Sequence, residues 1–219
     1  MRAGATFYTA PYFYAKLICI ACVQLEKVRG SLLSIKQENE IGKKYTSINI
    51  GKSENRAHEI NDHLKYLICH HNQTLSYINN LQEFFSMLMC GILFLFMISL
   101  CASAFSVMMT LNDTVDASQG AVMYLAVVVM AYFYCNFGTM LAREYEAVGD
   151  AAFASDWIGA PVPYQRSLSF IILVANKGKT LVAGHIVPIT NETLMAMINE
   201  SMSLFMFLLT MKEKSDENM

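Results

Sequence analysis

Glu200 lies inside an apolar run, Thr193 to Met211, with Asn199, Ser201 and Ser203 beside it and Leu204, Phe205, Phe207, Leu208 and Leu209 after it. A carboxylate at the middle of a membrane helix costs about 2.5–3.5 kcal/mol on insertion scales, so it must face protein or water rather than lipid. Two readings stay open. Wet polar groups adjoining an apolar constriction make an ion path that gates by dewetting. Alternatively, the carboxylate pairs with another helix or reaches toward a membrane edge.

Other residues that could carry chemistry lack their partners. Gly178-Lys179-Thr180 has the form of the end of a phosphate-binding loop, but the glycine required five positions before Gly178 is Leu173, so no amide cradle forms. Cys19-x-x-Cys22 has no second pair and no nearby histidine to complete a tetrahedral metal site. Of the six cysteines, only Cys69 lies in a polar stretch, which gives helix-buried thiols rather than a disulfide framework. His58, His63, His70 and His71 fall on a polar helix and read as ordinary helix surface. Without GxSxG, HExxH or GxGxxG, or any acid, base and nucleophile at usable spacing, the sequence points to no catalytic residue, metal or cofactor.

These side chains must be positioned by membrane helices. The chain is 54% hydrophobic and 16% charged, with a mean hydropathy of +0.34, against about 25% charged for a soluble domain. Its net charge of −2 offers no surface for nucleic acid. Phe84 to Met109 and Ala117 to Ala142 hold no charged residue, and at about 1.5 Å per residue each exceeds the roughly 30 Å hydrocarbon core. With the aromatic run Ala3 to Leu25 and the Glu200 segment, this predicts an all-α polytopic bundle with membrane helices over 1–25, 84–110, 117–142 and 190–211.

Lys and Arg stay on the cytoplasmic side. The link 26–83 carries Lys27, Arg29, Lys36, Lys43, Lys44, Lys52, Arg56 and Lys65, whereas the link 111–116 carries two aspartates and no basic residue. The first is expected inside and the second outside. The link 143–189, with Arg143, Arg166, Lys177 and Lys179, returns to the cytoplasm, leaving the tail 212–219 outside. Asn112-Asp113-Thr114 is then a glycosylation sequon on the outer loop, with Asn112 as acceptor. Apolar residues from Leu64 to Phe85 recur at helical steps and predict one amphipathic helix running unbroken into the 84–110 span. Tyr145, Val148, Ala152, Phe153 and Trp157 likewise continue the 117–142 helix up to Gly159, Pro161 and Pro163. Between Glu38 and Arg56 the polar, Gly- and Asn-containing chain reads as a mobile loop.

Several segments together resemble the insect odorant receptor family. Cys135-Asn136-Phe137-Gly138, through Glu144 to Asp150-Ala151-Ala152-Phe153-Ala154-Ser155-Asp156-Trp157, resembles the family's cysteine-bearing membrane helix leading into a cytoplasmic helix. Leu181 to Pro188 is similar to its AGK-x-x-P segment, with His185 in place of Lys. Ile68-Cys69-x-His71 and Tyr77-Ile78-Asn79-Asn80-Leu81 resemble the helix before the fifth membrane segment. The resemblance implies that the four helices are the fourth to seventh of seven, and that the chain is the C-terminal part of a longer receptor. It implies an odorant-gated, non-selective cation channel in the dendritic plasma membrane of a sensory neuron, acting with a co-receptor subunit in a hetero-tetramer joined through cytoplasmic helices over 143–189. The seventh helix would line the pore, with Glu200, Ser201, Leu204, Phe205 and Leu208 as gate candidates. Tyr8, Tyr12, Tyr124 and Val127 would be odorant-pocket candidates. The alternatives are a gustatory-type receptor subunit, and a small four-helix transporter or accessory membrane protein.

Overall fold

Proline occurs four times in the chain, and three of the four, Pro161, Pro163 and Pro188, fall late. Over the first 160 residues Pro11 is the one proline, and long helices follow. A computed structural model describes the backbone over residues 2–46, 53–109, 114–155, 162–176, 178 and 180–217, and side chains over 11–34, 65–107, 109, 117–155, 162, 165–176, 178, 180–211 and 214. Its elements are α1 (Arg2–Thr46), α2 (Ser53–Met109), α3 (Thr114–Phe153), α4 (Val162–Asn176), β1 (Val182–Ala183), β2 (Val187–Pro188) and α5 (Asn191–Glu217). The fold is all-α apart from one two-stranded antiparallel hairpin among the described residues. The helix expected through Leu64 to Phe85 into the following span is unbroken.

Part of the stretch expected as a loop, Glu38 to Arg56, is instead helix: α1 continues to Thr46 and α2 starts at Ser53, while 47–52 lie outside the described residues. Glu40 precedes Lys43 and Lys44 by three and four positions, the spacing that supports a helix, and a single interior Gly42 costs only about 1 kcal/mol. At the far end of α3 the helix stops at Phe153, with Ala154 N bonded to Asp150 O at 2.8 Å and the Ser155 hydroxyl donating to Ala152 O at 2.7 Å. Trp157, expected to finish that stripe, and Asn112 lie outside the described residues.

The chain forms two compact units, and α1, α2 and α3 each contribute to both. In one, spanning 12–81 and 140–179, buried residues step by threes and fours on every helix. They are Tyr14, Ile18, Ala21, Leu25, Val28 and Leu32 on α1, Leu67, His71, Thr74, Ile78 and Leu81 on α2, Leu141, Tyr145, Val148 and Ala152 on α3, and Leu168, Ile171 and Ala175 on α4. Such seams pack helices side by side into a bundle. Tyr77 Oη donates to Leu17 O at 3.3 Å between α2 and α1, and Tyr145 Oη to Val174 O at 3.0 Å between α3 and α4. Arg29 and Glu144 form a half-exposed ion pair at 3.3 Å, worth under about 1 kcal/mol in such a setting. His71, read from sequence as helix surface, is 1% exposed and occupies a core position of the seam. The α1 residues from Pro11 to Leu25, within the expected 1–25 span, have their buried side chains in this unit, apart from Pro11 itself.

The other unit holds residues 1–11, 82–139 and 180–219. Its α2 and α3 segments meet where the rings of Phe96 and Tyr134 pack at a 52° tilt with centroids 5.8 Å apart, and where Gly120 lets α3 approach Val107. Phe94, Leu95, Ile98, Val122, Leu125 and Val129 are large, apolar and exposed. An apolar exterior of this extent belongs in lipid. Lys65–Val107, Ala117–Phe153 and Asn191–Met211 are long and apolar enough to cross a membrane, among the described residues.

The hairpin is fixed to α2 by a side chain acting as backbone. Gln82 Nε2 donates to Val182 O at 2.6 Å, and Val182 N donates to Gln82 Oε1 at 2.8 Å. One turn along, Gly184 N donates to Ser86 O at 2.8 Å. Ile189 N returns to Leu181 O at 2.8 Å, and Ile186 N to Ala183 O at 3.1 Å closes a turn whose central residues, Gly184 and His185, have φ of 58° and 60°. A Cβ on Gly138 of α3 would overlap the carbonyl oxygen of Ile189, so only glycine allows this approach.

Two substitutions test this account. Gly138→Ala should lower folded yield and thermal midpoint in detergent, while Gly91→Ala, which would meet nothing within 4 Å, should leave both unchanged. Gln82→Leu strands both polar groups of Val182 and should destabilise by about 1–3 kcal/mol per orphaned group. Gln82→Glu, which keeps the acceptor and loses the donor, should fall between Leu and wild type in the same thermal series.

Candidate ligand and ion-path site

The gate candidates lie on α5, whose start is set by its neighbours. Thr190 caps it, accepting from Thr193 N at 3.4 Å, and Glu192 lies in the first turn, where a helix N-terminus favours negative charge. Thr139 Oγ1 of α3 accepts from Asn191 N at 2.9 Å and donates to Cys135 O at 3.0 Å. One of the first amides of α5, which no residue of its own helix can satisfy, is thereby bonded to a neighbouring helix.

From this start α5 presents two faces. Leu194, Met197 and Ser201 are buried, and Phe205 and Leu208, continuing the same side, are half-buried. Opposite them, Glu192, Ala196, Asn199, Ser203, Met206 and Thr210 recur at alternating steps of four and three and are all exposed. The outward stripe is therefore more polar than the inward one.

The sequence candidates divide between these faces. Ser201 is 0% exposed: its hydroxyl donates to Ile198 O at 2.8 Å and lies 3.1 Å from the Tyr124 hydroxyl of α3. Phe205 and Leu208 turn the same way, while Glu200 and Leu204 are exposed. Of the pocket candidates, Tyr124 and Val127 are half-buried on one side of α3, Tyr12 is 69% exposed, and the side chain of Tyr8 lies outside the described residues. The structure thus joins one pocket candidate, Tyr124, to one gate candidate, Ser201, by a hydrogen bond between helices.

Sequence reasoning missed Gln82, Thr139 and the choice of outward face. Gln82 gave no signal, since its partner is 100 positions away. The 192–196–199–203–206–210 stripe was available as a heptad-like recurrence of small and polar types, interrupted by Met206. What hid it was Ser201, a polar residue on the opposite side of the same turn.

The chemistry open to this arrangement is non-covalent. A mid-span tyrosine and serine offer hydroxyls within an apolar surround, and an exposed file of Glu, Asn, Ser and Thr offers oxygen ligands to water or cations.

Comparison with known proteins agrees with the segments quoted above. The chain is 25% identical over 197 residues to odorant receptor Or2 of Anopheles gambiae, covering 90% of this chain and 50% of that one. It is similar to two Drosophila melanogaster chains named as odorant receptors, 92a at 24% identity over 70% of this chain and 38% of the relative, and 69a, isoform B, at 28% over 66% and 36%. The chain thus spans between about a third and a half of these relatives. The profile of the 7tm odorant receptor family matches residues 5–202, and with the helical architecture and lipid-suited exterior described above, the chain belongs to that family of polytopic membrane proteins.

Proposed function

We propose that this chain forms part of an olfactory receptor that binds a volatile apolar odorant and, with a co-receptor subunit, gates a non-selective cation channel in the plasma membrane. Family membership supports the receptor role. The channel reading is carried by one observation, the exposed polar stripe on α5. Asn199, Glu200, Ser203 and Thr210 stand uncovered on a segment long and apolar enough to span the bilayer. A carboxylate uncovered near the middle of such a segment is costly in lipid, so this face requires water or other helices. A subunit assembly with α5 facing a shared axis supplies both. On this reading Glu200 stays a gate candidate, and Asn199 and Ser203 join it. Ser201, Phe205 and Leu208 support the helix from behind, and Leu204 and Phe207 flank the polar file.

The Tyr124–Ser201 hydrogen bond supports a mechanism. Odorant bound beside Tyr124 and Val127 favours the conformation with the wider pore, and does so only by its difference in affinity between the two states. A hydroxyl pair joining α3 to α5 carries that preference to the pore helix.

The test is current recording from cells expressing the receptor with its co-receptor under an odorant panel. Odorant should evoke a cation conductance that survives G-protein blockade; a response that needs G protein and shows no ligand-gated conductance rejects the reading. In the same cells, cysteines at Asn199 and Ser203 should react with a charged thiol reagent and reduce the current, while Ser201→Cys stays protected. Glu200→Gln should alter cation selectivity.

Tyr124→Phe and Ser201→Ala each remove one partner of a bond worth about 1 kcal/mol net, a roughly fivefold effect on an equilibrium. Each should shift the half-maximal odorant concentration by about that factor, and the double variant no further than either single. Additive shifts would show that the two hydroxyls act separately.

A further inference from the structure

The hairpin before α5 has no role in the reading above. It is also the described departure from helix in a chain otherwise built of it. Its location follows from its partners on two helices. On α2, Val182 is level with Gln82, and Gly184 is level with Ser86 and Cys90, where a Cβ on Gly184 would lie 2.9 Å from the Cys90 sulfur. The first strand therefore climbs α2 past Glu83, the last charged residue before the charge-free run. From Glu83 to Cys90 the climb is about 10 Å at 1.5 Å per residue. On α3, Ile189 abuts Gly138 and Asn191 is bonded to Thr139. These positions lie about 6–8 Å inside Arg143, the first charge after the second charge-free run. The α2 register thus puts the turn inside the apolar zone of that helix, and the α3 register puts the segment that leaves the hairpin, Ile189 to Asn191, inside the apolar zone of its own.

The composition fits that depth. From Thr180 to Asn191 there is no Lys, Arg, Asp or Glu, and the one imidazole, His185, is exposed at the centre of the turn. At the turn Ile186 is 83% exposed, and Val187 and Pro188 beside it are exposed as well, although Leu181, Ala183 and Ile189 of the same segment are buried. Irregular backbone survives at membrane depth only when its polar groups are satisfied by protein. The two bonds to Gln82, the bond to Ser86 O, the turn bond and the strand pairing do this for the strands and for the Gly184 and Ile186 amides, and Pro188 has no amide hydrogen to satisfy. A hairpin held in water would need no such clamp, and would not present isoleucine beside its turn.

We propose that Val182–Pro188 is a re-entrant hairpin whose exposed apolar shoulder, Ile186 with Val187 beside the Gly184–His185 turn, inserts among the acyl chains of the leaflet on the Glu83 and Arg143 side, fixing the depth at which α5 begins. Lipid is its partner, by contrast with the polar face of α5, which requires water or protein. The inference rests on the membrane-spanning character of α2 and α3 and not on ion conduction, so it stands or falls separately from the channel reading.

The experiment uses the chain's single tryptophan, Trp157. In a Trp157→Phe background, Ile186→Trp is reconstituted in phosphatidylcholine vesicles, with Phe94→Trp as a lipid reference on the exposed face of α2 and Asn72→Trp as an aqueous one. Ile186→Trp should lose fluorescence in vesicles of lipid brominated at shallow acyl positions to an extent comparable with Phe94→Trp, and should resist aqueous iodide. Quenching by iodide with none by bromolipid places the shoulder in water and overturns the proposal. Resistance to both, with the two references behaving normally, means the shoulder is covered by protein and overturns it equally. The references report whether the background folds and inserts, so each outcome is readable.

Discussion

Hydrocarbon supplies no hydrogen bonds. Every backbone amide, carbonyl and polar side chain that enters it must find a partner within the protein or a path to water. That constraint explains why α2 and α3 run through the apolar zone without interruption. It also explains why the break between α4 and α5 is so heavily bonded. Gln82 serves Val182 as a neighbouring strand would, Ser86 O takes up the Gly184 amide, and Thr139 takes up one of the amides at the start of α5. In water such groups could hydrate at little cost. Here each has a named protein partner.

The same constraint lets one buried seam serve two environments. Along α2, buried positions follow one another from Leu67 through His71, Thr74, Ile78, Leu81, Phe85 and Met89 to Leu93, and resume at Leu100 and Ala104. What changes is the opposite side of the helix. Before Glu83 it carries Asn72, Gln73, Ser76, Asn79 and Asn80; beyond it come Met87, Leu88, Phe94, Leu95 and Ile98. The inward side thus keeps helical periodicity in both environments, while the outward side turns from polar to apolar within a few residues of Glu83. Phe84 and Met87, both exposed, mark the crossing.

This division determines what was legible. Charge-free length is a one-dimensional property, so the α2 and α3 spans could be read directly, and so could the run of α2 below its span, since Leu67 and Ile78 keep the helical step. Phase was harder to read. The stripe readable in sequence runs through Leu64, Ile68, His71, Leu75, Ile78 and Phe85 with Leu67 and Leu81 beside it, whereas Ile68 and Leu75 prove half-buried and the seam runs through Leu67, His71 and Thr74. A histidine and a threonine on a buried face look like surface residues until the neighbouring helices are in place. The hairpin clamp was hidden for another reason: an exchange of two bonds between Gln82 and Val182 leaves no local trace in either segment. The helix over 38–46 is hidden by the polar composition of that stretch, and only the Glu40 to Lys44 spacing points to it.

The most consequential ambiguity concerns α5, where Ser201 and Ser203 are chemically equivalent and two positions apart. Two positions on a helix are separated by about 200°, so one serine faces inward whenever the other faces outward. Hydropathy cannot choose between them. The choice is made by Tyr124, whose hydroxyl lies 3.1 Å from that of Ser201, and by the residues in phase with each. Leu194, Met197, Phe205 and Leu208 share a side with Ser201, while Asn199, Met206 and Thr210 share one with Ser203. An apolar set with one satisfied hydroxyl suits a protein interior. A set with an amide and two hydroxyls, bordered by Glu200, suits water. The buried side of α5 therefore follows from the Tyr124 hydroxyl together with the apolar residues in phase with Ser201, and Ser203 and Glu200 are left on the exposed side.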